Sequence, residues 1–261
     1  MTVEFFQERQ WVGLLETDPD LAHGLGARDT GLVRQCAVAR VLELEVPGWD
    51  PEMLERATAE GWLGLYVIEG LMIRSVNVGK RAACELFGPG DLFRPWDADG
   101  EYDPLPISVT WKVLAPTRLA ELDHEFVHRI APWPMITSHI VSRVARRARY
   151  LALTQAVTHL PRATSRLLIL FWLLAERWGR VGVDGVRITL PLTHELLSML
   201  IGAHRPTVTI ALQRLRRAGL LERRGSDLWV LTRLAIDRLG EPESLAEIDA
   251  GADGGNDEPL S

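Results

Sequence analysis

Thr189 to Leu231 is the stretch that most narrows what this chain can become, because its punctuation admits two short helices and a hairpin and little else. Leu192-Thr193-His194-Glu195-Leu196-Leu197-Ser198-Met199-Leu200-Ile201 reads as a helix whose first turn Thr193 can cap. Gly202 ends it. A second helix follows at once from His204 through Arg217, with Pro206 in the first turn, where a missing N–H costs least, and Gly219 as its stop. Two helices joined by a short glycine-containing turn form the unit that lays its second helix in the DNA major groove.

The second helix has two faces. Val208, Leu212 and Leu215 make one apolar stripe that points to a domain core. Arg205, Pro206, Thr209, Ile210 and Gln213 lie opposite and can face DNA, with Arg216 continuing that face. Thr207, Arg214 and Arg217 are further candidates for phosphate contact. After the helix, Leu220 to Arg224, Gly225-Ser226-Asp227 and Leu228 to Leu231 read as strand, turn and strand, a wing that carries Arg223 and Arg224.

Leu192-Thr193-x-Glu195, Gly202-x-x-Arg205-x-Thr207-Val208-Thr209, Leu212-x-x-Leu215 and Gly219-Leu220-Leu221 together resemble the DNA-binding domain of CRP/FNR-type bacterial transcription regulators. The resemblance implies an α+β chain. It would comprise an N-terminal antiparallel β-barrel, jelly-roll-like and of the cyclic-nucleotide-binding type, then a long dimerisation helix and a C-terminal winged helix-turn-helix. The expected divisions are a sensor barrel over 1–131, the dimerisation helix over 132–160, the DNA-binding domain over 161–239 and an acidic, disordered tail over 240–261.

With 261 residues the chain can hold two cores. No apolar run approaches the ~20 residues of a membrane span, and the first ten residues carry acids where a secretory signal would not, so a cytoplasmic protein is expected. Two cysteines, Cys36 and Cys84, cannot make a disulfide framework and are read as buried small apolar residues. The net charge of −6 conceals a sharp division. Residues 1–131 carry 12 Lys/Arg against 22 Asp/Glu, residues 132–233 carry 16 against 5, and residues 234–261 carry 1 against 8. Net positive charge is thus confined to the segment expected to meet DNA.

Strands are expected at Ala39–Val46, Gly64–Ile68, Leu71–Val76 and Ala82–Phe87, the middle two as a hairpin about Glu69-Gly70. Phe87-Gly88-Pro89-Gly90-Asp91-Leu92-Phe93 resembles the turn that precedes the nucleotide cassette of the family barrel. In nucleotide-binding members a Gly-Glu pair then holds the ribose and an Arg before Ser or Thr holds the cyclic phosphate. Here Arg94-Pro95 and Ile107-Ser108 stand in those places, so the usual binding of cyclic AMP is not expected. Pro95 to Pro106 reads as a loop. Trp62, Arg94, Trp96 and Trp111 are candidates to line an effector pocket, with simple core packing as the other reading of the same aromatics. His124 and His128 share the spacing of a metal pair, but no second ligand cluster accompanies them, and neither metal nor cofactor is expected.

Pro134 to His159 is helical without interruption, a rod near 37 Å long at ~1.5 Å per residue. Val141, Val144, Ala148, Leu151, Gln155 and Thr158 recur on it at spacings of three and four, the seam of a paired helix. Arg162 to Trp178 follows as a strongly apolar helix, and Val181 to Ile188 as a hairpin. The expected protein is a homodimeric, non-enzymatic regulator of double-stranded DNA that recognises an inverted repeat. RNA polymerase and an unidentified small-molecule effector are its further expected partners. A barrel that is only structural or contacts protein, and a barrel-regulated enzyme, stay open as other readings; no nucleophile, base and orienting group assemble in the sequence to favour the latter.

Overall fold

The computed structural model describes residues 10–46, 49, 61–79, 81–98 and 107–239. The acidic tail and most of the loop between Pro95 and Pro106 lie outside the described residues. The chain divides into two compact units, residues 1–149 and 150–261. Its elements are α-helical and antiparallel β, and no helix among the described residues is long and apolar enough to cross a membrane.

The first unit opens with β1 (Trp11–Gly13), α1 (Leu14–Thr17) and α2 (Ala27–Cys36), then β2 (Val38–Leu44), β3 (Gly64–Val78), β4 (Arg81–Phe87), β5 (Leu92–Phe93) and β6 (Ile107–Leu122). All pairings are antiparallel along the path β1-β2-β6-β3-β4, with β5 on β3. Alternation sends Leu65, Val67 and Met72 of β3, Phe87 of β4, Phe93 of β5 and Val113 and Leu119 of β6 into one core. A second core joins Leu14, Leu21, Val33 and Tyr66 to Phe126 and Ile130 of α3 (His124–Ile130) and to Ile136 and Ile140 of α4 (Pro134–Thr158). Buried Asp123 starts α3: its Oδ1 accepts from Phe126 N at 2.8 Å and its Oδ2 from Arg40 at 2.8 Å.

The hairpin expected at Glu69-Gly70 is absent. β3 runs through those residues, and its register with β6 shifts between Val67 and Met72. Gly70 sits at φ +100°, and a Cβ there would lie 2.4 Å from Pro116 O and Thr117 Oγ1. The local signal of a turn is therefore a set of bulges that bends one long strand. Pro95–Ala98, read as loop, is a 3-10 turn. Neither cysteine is fully buried. Ser75 Oγ lies 3.3 Å from Cys84 Sγ, and burial pushes the Cys84 thiol up despite that contact.

Within the first unit α4 is held by charge as well as by its isoleucines. Arg143 and the Tyr66 hydroxyl both donate to Asp18. Arg147 donates from Nε and Nη2 to the two oxygens of Glu85, at 2.5 and 2.8 Å. Of the positions expected to form a seam, Val141, Val144, Ala148, Leu151 and Gln155 are exposed and Thr158 is half-buried.

The second unit takes the end of α4, where Tyr150 and Val157 pack with Leu173 of α5 (Ala163–Trp178). It continues with β7 (Arg180–Gly182), β8 (Gly185–Thr189), α6 (His194–Ile201), α7 (Arg205–Arg217), β9 (Leu221–Arg223), β10 (Leu228–Thr232) and α8 (Arg233–Leu239). The two hairpins join into one four-stranded sheet, β7-β8-β10-β9. Phe171 of α5 meets Trp229 of β10 with ring centroids 5.0 Å apart, so the apolar helix and the wing strand share a core.

Replacing Gly70 by Ala should lower stability by about 1–3 kcal/mol, because the new Cβ meets backbone at a left-handed φ. Thermal unfolding followed by circular dichroism measures it; an unchanged midpoint would mean that the bulge relaxes freely.

Candidate nucleic-acid interface

α6 starts on Thr193, whose Oγ1 accepts from Leu196 N at 3.1 Å, and ends at Gly202 in the left-handed region, φ 62°. Leu196, Leu197, Leu200 and Ile201 bury its inner face. The turn after it is tied down by Arg166 of α5, which donates to Leu160 O at 2.6 Å and to Ile201 O at 3.2 Å. Nothing in the local pattern marked this arginine, since it sits among the apolar residues of α5 and acts across sequence.

α7 buries Val208, Ala211, Leu212 and Leu215. Arg205, Pro206, Thr207, Ile210, Gln213, Arg214, Arg216 and Arg217 are exposed, Ile210 to 53%. No side chain caps α7, and Pro206 occupies its first turn. The N-terminal N–H groups of this helix are thus left to solvent or to an incoming acceptor.

Thr209 differs from its neighbours. It is half-buried, and its hydroxyl donates to Arg205 O at 3.1 Å while lying 2.9 Å from His194 Nδ1. With the hydroxyl proton on the carbonyl, the imidazole donates from Nδ1, which leaves Nε2 as the acceptor of the neutral ring. His194 was not singled out in the sequence. It joins the first residue of α6 to α7, and burial, then Arg223, then Arg205, pushes its pKa down.

The wing arginines have different surroundings. Arg223 donates to Ser226 O at 2.7 Å, and its guanidinium lies 5.0 Å from the Trp229 ring centroid. Arg224 pairs with Glu222 at 2.6 Å and with Asp184, which hold its pKa above the usual arginine range. The charge of Arg224 is therefore compensated within the protein. Beside α7, the first turn of α5 contributes Arg162 and Thr164 to a concavity of about 240 Å³ shared with Thr207, Ile210 and Arg214.

Of the residues considered for an effector pocket, Trp62 and Trp96 meet edge-on at 5.8 Å and the Arg94 guanidinium lies 5.7 Å from the Trp96 ring centroid. Trp111 stands apart from them, against Phe87, Phe93 and Trp49 at 5.1, 4.9 and 5.5 Å. All three tryptophans pack on the β-sheet core.

The model of the Crp-like helix-turn-helix domain matches residues 163–239. The regulatory protein CysR of Synechococcus elongatus is 30% identical over 173 residues, 64% of this chain and 75% of that protein. The chain belongs to the CRP/FNR family of transcription regulators. A second family member, the CRP-like cAMP-activated global transcriptional regulator of Mycobacterium tuberculosis, is 28% identical over 184 residues, 66% of this chain and 78% of the other. The family fold recurs in a cyclic nucleotide-binding domain containing protein from Listeria monocytogenes, with a TM-score of 0.56 at 14% identity, covering 73% of this chain and 89% of that one. Membership identifies the helix-turn-helix as a DNA-binding domain of a transcription regulator.

His194 gives a pH test of the α6–α7 junction. Its folded pKa lies below the ordinary ~6.5, so its contribution to stability is complete above that pH and is lost as pH falls through the folded value. The melting temperature should therefore fall more steeply between pH 7.5 and about 5 in the parent than in His194→Asn, whose amide can still donate toward Thr209. Parallel curves would remove His194 from the junction's energetics.

Proposed function

We propose that the protein is a homodimeric regulator that reads an inverted repeat with α7 and holds the duplex with the wing and the start of α5. The observation that carries this is the exposed face of α7, where Arg205, Ile210, Gln213, Arg214, Arg216 and Arg217 stand together above a buried stripe. Arg205, at the N-terminal end, reads a base edge, and its planar fork suits guanine. Pro206 supplies no acceptor for cytosine. Ile210 favours a thymine methyl, so the half-site is less G·C-defined than one read by polar side chains alone. Thr209 contributes mainly its methyl, because its hydroxyl is engaged with Arg205 O and His194. Thr207, Arg214, Arg162 and the N-terminal turn of α5 hold phosphate, and Arg223 follows the backbone from the wing.

Pairing uses the exposed seam of α4. Val141, Val144 and Leu151 are 49%, 42% and 36% exposed, which a second copy would cover. Cyclic AMP is not the signal in this reading. Ile107 and Ser108 open β6 opposite Val78 and Asn77, and Ser108 accepts from Asn77 through both its carbonyl and hydroxyl. They supply no cation for a cyclic phosphate. RNA polymerase is the partner through which bound regulator acts on transcription, and no catalytic step belongs to the reading.

Purified protein should sediment as a dimer and select from random DNA an inverted repeat with half-sites about 34 Å apart. A monomer at micromolar concentration, or single asymmetric sites, would refute it. With six to ten phosphate contacts per dimer, affinity should fall roughly 10³–10⁵-fold between about 50 and 200 mM salt. Arg205→Ala should cost about 1–3 kcal/mol and erase the preference at one base pair, while Arg223→Ala weakens all sequences about equally. An unchanged selected motif in Arg205→Ala would assign that arginine to phosphate. Cyclic AMP should leave calorimetric heats and DNA affinity unchanged; micromolar binding would overturn that part.

A further inference from the structure

The first turn of α6 holds a titratable ring between two elements that carry cations. His194 Nδ1 lies 2.9 Å from Thr209 Oγ1 of α7, and that hydroxyl donates to the carbonyl of Arg205 at 3.1 Å. The side chain is half-buried, so one ring nitrogen is committed to the junction while solvent protons still reach the ring. Burial, then Arg223 of β9, then Arg205 of α7 holds its pKa below the usual histidine range. Both of those charges are positive. On α6 itself the adjacent Glu195 is exposed, and so is His204 at the start of α7. Near about pH 7 the ring of the free protein is therefore neutral, with Nδ1 as donor and Nε2 as acceptor.

A neutral imidazole is poorly suited to a polyanion. It brings no charge, and the lone pair at Nε2 repels phosphate oxygens. DNA on α7 and the wing brings phosphates against Arg205 and Arg223, the same two guanidiniums that disfavour the imidazolium. Their repulsion is then offset by negative charge, and the field at the ring favours the cation. Protonation adds a hydrogen at Nε2 alone, so the Nδ1 donation to Thr209 survives it.

We propose that DNA binding takes up a proton at His194 in each protomer, which makes the α6–α7 junction a third cationic contact beside Arg205 and Arg223 and strengthens binding as pH falls. This rests on the DNA-binding reading given above. By reciprocity, a proton that DNA favours must itself favour DNA. Affinity rises as pH falls between the higher pKa of the bound ring and the lower pKa of the free one, and is level outside that window. In the free fold the sign is opposite, because there protonation of His194 costs stability. Acid thus loosens the unbound domain and tightens its complex, a pair of responses that general acid damage does not produce.

The test is fluorescence anisotropy on the full chain, with a labelled duplex carrying the sequence it selects from random DNA. Affinity is measured at about pH 8, 7 and 6 and constant ionic strength for the parent, His194→Asn and His194→Gln. Each variant keeps an amide donor and cannot become a cation, and His204 titrates alike in all three. From about pH 8 to 6 the parent should gain at least about fivefold over the variants. Calorimetry at about pH 6.5 in two buffers of different ionisation enthalpy should show the parent taking up more protons on binding, up to about one per protomer. A purely structural role would lower affinity equally at every pH and take up no proton. His194→Gln carries the comparison if His194→Asn does not fold. Parallel pH dependences in the parent and the folded variants, or equal proton uptake, would overturn the proposal and leave DNA binding standing. No complex with any duplex at any pH would remove the DNA-binding reading and the linkage with it.

Discussion

Helix α4 depends on two carboxylates that sit under it. Ile136, Ile140, Arg143 and Arg147 follow one stripe at spacings of four, three and four, so the side that meets the rest of the first unit is apolar at its start and cationic farther on. An arginine on an inward face is tolerable only with a partner, because a desolvated charge left alone costs several kcal/mol. Asp18 and Glu85 are those partners, the first also accepting from the nearly inaccessible Tyr66, whose ionisation burial and Asp18 suppress. Such pairs add little stability compared with an apolar contact of the same shape, but they fix rotation about the helix axis. A helix held in that rotation keeps Val141 and Val144 exposed.

The same logic separates charge that is available from charge that is committed. Counting residues 132–233 gives a large basic excess. Much of it is directed inward or laterally: Arg143 and Arg147 to carboxylates, Arg166 to carbonyls at the end of α6, Arg177 onto the rings of Tyr150 and Trp178, and Arg187 and Arg224 to Asp184. What is exposed on α7 is a smaller and more local set. Long-range attraction follows the total charge of the surface, whereas contact with phosphate needs guanidiniums that can leave their present partners at little cost. Arg224, held by two acids, is poorly placed for that.

The helix-turn-helix was legible because its signals are local. A capping threonine, a glycine stop, an early proline and a stripe of valine and leucines each act within one or two turns, and the helices they define lie where those residues say. The bent sheet was less so. Glu69-Gly70 carries a turn's residues, but whether such a glycine reverses a strand or bends it is decided by the partner, here β6 with its own irregular register at Ala115 to Arg118. For the same reason the joining of two hairpins into one sheet was hidden, since β8 and β10 are separated in sequence by α6 and α7. The tryptophans were visible as aromatics and not as two groups, a difference set by which strand faces which.

His194 shows most plainly what only the fold can supply. As one histidine among seven it carries no pattern, and its role comes from Thr209, fifteen residues away on the next helix. That contact lies beside the first turn of α7, where Thr209 also draws its hydroxyl toward the carbonyl of Arg205. The turn has no side-chain cap and Arg205 on it is exposed, while Thr209 ties it to His194 and to the carbonyl of Arg205. Orientation and contact are thereby divided between two residue sets on the same helix turn. An uncapped helix start is ordinarily a loss of stability; in the function proposed above it leaves donors for a phosphate, and the His194–Thr209 contact ties the turn down without occupying them.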